Sequence, residues 1–179
     1  DIARIKDHGD GWAFPGVMGK LALFDYRFEH RNVAPDFEAG LFDGFYENRR
    51  PIDWSNPVYD RSQQRKDGVF GSLGANLFDI VYMKGAYEKY QGRDPNIHAE
   101  ASYHGSLVPK ISEAGVDYDQ KYVKSWKDIR LDNPNAFVTA RVGFAAAPGV
   151  TLLMIVRQTY DEAGKKFDRT TRMVAQVNF

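Results

Sequence analysis

The sequence predicts an all-β chain, an antiparallel up-and-down β-barrel of about eight strands, each roughly 10 to 13 residues long. Three observations predict it. Apolar and polar residues alternate with a period of two along most of the chain. The intervening segments alternate between short turns and longer polar loops. Aromatic residues make up 14% of the chain, with 10 Tyr and 12 Phe, a level that suits strands or a membrane interface.

The first expected strand covers 18–31, where Ala22, Phe24, Tyr26 and Phe28 alternate with Leu21, Leu23, Asp25, Arg27 and Glu29. A long irregular loop is expected over 32–66, with Pro35, Pro51, Pro57, Trp54, Arg49, Arg50, Arg61 and Arg65. Within it, Phe37 to Tyr46 suits a short helix or an extra strand. A loop of that length normally has a function or a partner, so contact with other subunits is expected there. The next strands are 67–78 and 79–91, where Val69, Gly71, Leu73, Ala75 and Leu77, then Val81, Met83, Gly85 and Tyr87, hold one face. Strand 96–109 sets Ile97, Ala99, Ala101, Tyr103, Gly105 and Leu107 against His98, Glu100, Ser102, His104 and Ser106. Strand 116–127 is less regular. The last three strands, 136–147, 150–160 and 168–179, alternate most clearly, around the turn Ala147-Pro148-Gly149 and the charged loop 161–166. Short turns are expected at Phe78-Asp79, Ser112 to Gly115 and Ala147 to Gly149. The whole chain, 1–179, reads as one domain.

Composition narrows the function. Lys and Arg number 24 and so do Asp and Glu, so net charge makes no case for nucleic acid. Without cysteine there are no disulfides, thiolate metal sites or cysteine nucleophiles. No apolar run reaches the roughly 18 to 20 residues of a transmembrane helix. Asp1 rather than Met opens the sequence, which implies a cleaved signal or a fragment.

Alternation alone fits a soluble barrel or sandwich as well. Residue size favours lipid. Gly71, Ala75, Gly85, Ala99, Ala101, Gly105, Ala136 and Ala140 lie on the expected apolar face. A soluble core needs larger side chains there to reach interior density, whereas lipid tails follow a rough surface. The expectation is therefore a transmembrane barrel, either a complete small one or the C-terminal part of a larger one. Val150, Leu152, Met154, Val156, Ala136, Val138, Ala140, Val142, Met173, Ala175 and Val177 are assigned to lipid. Arg27, Glu29, Lys84, Glu88, His98, Glu100, His104, Arg141, Arg157, Arg172 and Gln176, with Thr139, are assigned to a lumen. Tyr26, Tyr87, Tyr103, Tyr122, Phe144, Tyr160 and Phe179 are candidate girdle aromatics.

The final strand, Thr170 to Phe179, alternates and ends on phenylalanine. It resembles the C-terminal signature of bacterial outer-membrane β-barrels, porin-like proteins whose assembly machinery reads such a strand. The hairpin from Pro148 to Asp161 is similar to the last hairpins of that class. The resemblance implies an outer-membrane location, lipid and the assembly machinery as partners, and Phe179 as the assembly signal.

Chemistry finds little purchase. No Ser-His-Asp order or phosphate loop is visible, and the glycines of 68–74 read as strand glycines. His98 and His104 on one extended strand lie about 20 Å apart and do not share an ion. No metal, cofactor or catalytic residue is expected, and no enzyme. The functional expectation is an outer-membrane pore or channel segment, or an envelope anchor. The alternative is a soluble lipocalin-like or α+β protein, periplasmic or secreted, that binds an apolar ligand.

Overall fold

A computed structural model of the chain describes residues 2–5, 9–34, 64–105 and 107–177. Its strands are β1 (Ile2–Ile5), β2 (Gly9–Leu21), β3 (Phe24–Val33), β4 (Lys66–Leu77) and β5 (Val81–Tyr90). They continue as β6 (Asn96–His104), β7 (Ile111–Gln120), β8 (Ala136–Ala147), β9 (Val150–Asp161) and β10 (Lys166–Val177). Each strand pairs antiparallel with the next in sequence, giving one ten-stranded up-and-down sheet. The sheet is not closed: among the described residues β1 and β10 do not pair. The only helix described is a 3-10 turn, Trp126–Asp128, between β7 and β8.

Two strands more than the expected eight are present: β1 is one, and the other has a local reason. The strand expected over 18–31 is in fact the β2–β3 hairpin, which turns at Ala22-Leu23. Ala22 carries the left-handed conformation there, at φ 52°, without the Gly, Asn or Asp that usually marks one. The alternation of Leu21, Ala22, Leu23 and Phe24 runs across the turn and hides it. Phe78 and Asp79 are likewise both left-handed, at φ 56° and 57°, closing the β4–β5 hairpin where a short turn was expected.

A second correction concerns β7. Ser112 to Gly115 was expected to be a turn, and strand 116–127 to follow it. Instead these residues begin β7, and the connection falls between His104 and Ile111. Gly105 and Leu107 therefore leave the strand to which the alternation assigned them. A register shift between Ile111 and Glu113 accompanies the early start of β7. The segment Phe37 to Tyr46, Arg49, Arg50, Arg61 and the terminal Phe179 lie outside the described residues.

Register fixes which side chains share a face, because directly opposed residues of paired strands point the same way. One apolar row runs Leu21, Phe24, Ala75, Met83, Ala101, Val116, Ala140, Val156 and Thr171 across nine strands. The next row holds Leu77, Val81, Tyr103, Ala114, Val142, Met154 and Met173. No second layer covers this face among the described residues. Phe28, Val69, Leu73, Met83 and Val116 are all exposed on it, and Met173 is 71% exposed.

Polar residues also stand on this face, among them His30 and Lys89 in the row of Val69, and Gln158 and Arg169 in the row of Val138; Gln120, opposite Ile97 and Ala136, is the buried one. It is fully buried, because the β7–β8 connection folds back over it. Its amide donates to the Asp128 carbonyl at 2.9 Å, and the Tyr118 hydroxyl donates to its Oε1. The 3-10 turn thus satisfies a polar group that the apolar face would otherwise leave bare.

Candidate functional site

The opposite face carries the charge. One row reads Asp25, Gly74, Lys84, Glu100, Asp117, Thr139, Arg157 and Thr170. A neighbouring row reads Arg27, Ser72, Ala86, His98, Asp119, Phe137, Thr159 and Asp168. On the other side Ser102, Gly115, Arg141, Ile155 and Arg172 align. Glu29, Phe70, Glu88 and Asn96 form a further row.

These registers place Arg27, Glu29, Lys84, Glu88, His98, Glu100, His104, Arg141, Arg157, Arg172 and Gln176 on one face, with Thr139. The eleven residues assigned to lipid stand together on the other. Of the candidate girdle residues, Tyr26, Tyr87, Tyr103, Phe144 and Tyr160 belong to the apolar face, and Tyr122 follows β7 in the connection.

Two ion networks organise the charged face. In the first, Glu29 bridges Arg27 at 2.5 Å and Arg31 at 3.0 Å, and Arg31 reaches Glu88 at 2.5 Å. Arg31 also lies over the Phe70 ring, 3.9 Å from its centroid. The Tyr90 hydroxyl donates to Glu88 at 2.8 Å. Because Arg31 is on β3 and Glu88 on β5, the contact skips a strand. Tyr82 on β5 does the same, donating to Asp25 on β3 at 3.3 Å.

The second network lies on β6 to β8. Arg141 donates to Asp117 at 2.7 Å and stands 3.8 Å from Glu100, two strands away. His98 Nδ1 meets Asp119 at 2.8 Å, and its Nε2 faces Glu100 at 3.9 Å. Sequence reading found His98 and Glu100 but not Asp117, Asp119 or Arg31. Those partners come from neighbouring strands, and only the register brings them in.

Glycine makes room for these side chains. A Cβ on Gly74 would run into Asp25 and the Tyr82 hydroxyl, and one on Gly115 would press on the Arg141 guanidinium at 2.9 Å. Gly85, on the apolar face, has nothing within 4 Å of the same position. Elsewhere on that face a Cβ on Gly19 would press on the Tyr26 hydroxyl and one on Gly71 on the Phe28 ring, so Gly85 is the open position. The charged face is crowded, and side chains from alternate strands converge there as on the inside of a curved sheet.

A shallow groove of about 580 Å³ on the apolar face is lined by Gly71 and Gly85. Phe28, Leu73, Tyr87, Ile97 and Trp126 rim it. No family model, curated protein or solved structure matches the chain.

Proposed function

We propose that the chain forms wall of a transmembrane β-barrel of the bacterial outer-membrane type, as a segment of a pore or channel. Its apolar face meets lipid and its charged face lines an aqueous lumen. The observation that carries this reading is the inversion of polarity relative to a soluble barrel. The crowded face, where Arg31 meets Glu88 and Arg141 meets Glu100 across an intervening strand, is charged. The face without a covering layer is apolar. Water would penalise that arrangement at roughly 25 cal/mol per Å² of apolar surface, whereas a bilayer removes the penalty. A lipocalin-like binder for an apolar ligand needs the apolar face inside, so the same observation disfavours it.

The sheet's two edges need partners in a bilayer, because lipid leaves strand amides unsatisfied. Under this proposal the edges pair with each other or with further strands of the barrel. The test is refolding into lipid vesicles, followed by two measurements. Lipid-soluble quenchers should reach a spin label at Met173 and spare one at Arg172. Planar bilayers containing the protein should conduct. A chain that stays monomeric in water without detergent, and does not insert into vesicles, would overturn the proposal.

A further inference from the structure

We propose that His98, Glu100 and Asp117 form a binding site for a divalent transition-metal ion on the charged face. One donor atom from each of the three lies within 4.8 Å of the others. His98 and Glu100 stand two apart on β6, and the β6–β7 register sets Asp119 opposite His98 and Asp117 opposite Glu100. The four residues thus make a two-by-two block on one face.

The imidazole is held for ligation. Asp119, outside the three donors, takes His98 Nδ1 at 2.8 Å and leaves Nε2 facing Glu100 at 3.9 Å. A carboxylate on the far ring nitrogen is how metal-binding histidines are usually oriented and made more basic. Arg141 holds the two carboxylates from the other side, with Nη1 on Asp117 Oδ2 and Nη2 towards Glu100 Oε1. Glu100 Oε2, on the His98 side, stays clear of that fork. Gly115 lets the guanidinium lie there, since a Cβ would press against it.

Charge favours a dication. Asp117, Asp119 and Glu100 carry three negative charges against Arg141 and Lys84, the residue opposite Glu100. With His98 neutral the block keeps one net negative charge. One nitrogen and two carboxylate oxygens suit Zn²⁺ and its neighbours better than Mg²⁺ or Ca²⁺, which prefer all-oxygen sites. The argument along a single strand, which set His98 and His104 too far apart to share an ion, stands. The third ligand is across the register.

The experiment uses the full chain refolded in detergent and titrated with Zn²⁺ against a chelating indicator. One saturable site per chain is expected. X-ray absorption should show one imidazole nitrogen and two carboxylate oxygens at about 2.0–2.2 Å. His98→Ala should abolish binding, and Glu100→Gln and Asp117→Asn should each weaken it at least about tenfold. Asp119→Asn should weaken it by about 10- to 100-fold while the ligand set in the absorption spectrum stays the same. His104→Ala, on a different row beside Glu113, should leave affinity unchanged. Circular dichroism establishes that each variant is folded, and the absorption spectrum of the unaltered chain decides the ligand set without any variant. Absence of saturable binding, an absorption spectrum without imidazole, or affinity retained in folded Glu100→Gln and Asp117→Asn, overturns the proposal. The ligands come from one strand pair, whichever solvent the other face meets, so failure of the site leaves the membrane proposal standing, and failure to insert into vesicles leaves the site testable.

Discussion

Glu29 sits between two guanidiniums, its side chain only 5% exposed. Removing its charge takes one carboxylate contact from Arg27 and one from Arg31, which keeps Glu88 and the Phe70 ring. Hydrogen bonds to charged groups are worth about 1.5–3 kcal/mol each. Glu29→Gln should therefore lower unfolding free energy by about 2 kcal/mol in urea titrations of the refolded protein. Arg172, on the same face with an exposed side chain and no ion pair among the described residues, gives the contrast: Arg172→Gln should stay within about 0.5 kcal/mol. Equal losses would mean the network adds nothing beyond ordinary surface charge. Glycine offers a second comparison at this scale. Gly74→Leu must displace Asp25 and Tyr82, a repacking that costs about 1–3 kcal/mol. Gly85→Leu, one strand away on the other face, projects into open space and should be nearly neutral. The ratio of the two effects compares the crowding at these two positions.

At the scale of a strand, β8 tests the assignment of faces. Ala140 stands in the apolar row and Arg141 in the charged one. An Arg at a lipid-facing midplane position costs roughly 2–4 kcal/mol, so Ala140→Arg should unfold at markedly lower urea in vesicles. Arg141→Ala is not the mild control that position alone suggests, because it strips Asp117 of its donor at 2.7 Å. Arg157→Ala, in the same row as Thr139 and without an ion pair among the described residues, is the proper control and should cost little. If both Arg variants are equally harmless, the apolar face is not in lipid. The strands also show what was legible in the sequence. β8, β9 and β10 could be read directly, because Val138, Ala140 and Val142 alternate cleanly and Pro148-Gly149 marks the turn. The β2–β3 hairpin could not, because Ala22 turns the chain without a turn residue. The start of β7 was missed because Gly115, whose lack of a side chain leaves room for the Arg141 guanidinium, looks like a turn glycine when only its neighbours in sequence are considered. The candidate site was half legible: period two put His98 and Glu100 on one face, but Asp117 is 17 residues further along and only pairing places it opposite Glu100.

For the whole molecule the decisive feature is the free edge. β10 pairs with β9 over its full length, Lys166 to Val177, and with nothing on its other side among the described residues. In water such an edge is a template for association with other chains. In a bilayer an open edge is prohibitive, since each unsatisfied backbone group costs several kcal/mol. Ten up-and-down strands leave β1 and β10 running antiparallel, so nothing in their direction prevents pairing with each other or with intervening strands. Amide hydrogen exchange reads the outcome. Without lipid, the β10 amides not bonded to β9 should exchange quickly while their neighbours are protected, in alternation along the strand. In vesicles, all amides from Lys166 to Val177 should become protected together, as an edge strand becomes an internal one. Alternating protection that persists in vesicles would mean the edge remains open, and a sheet with an open edge does not span a membrane.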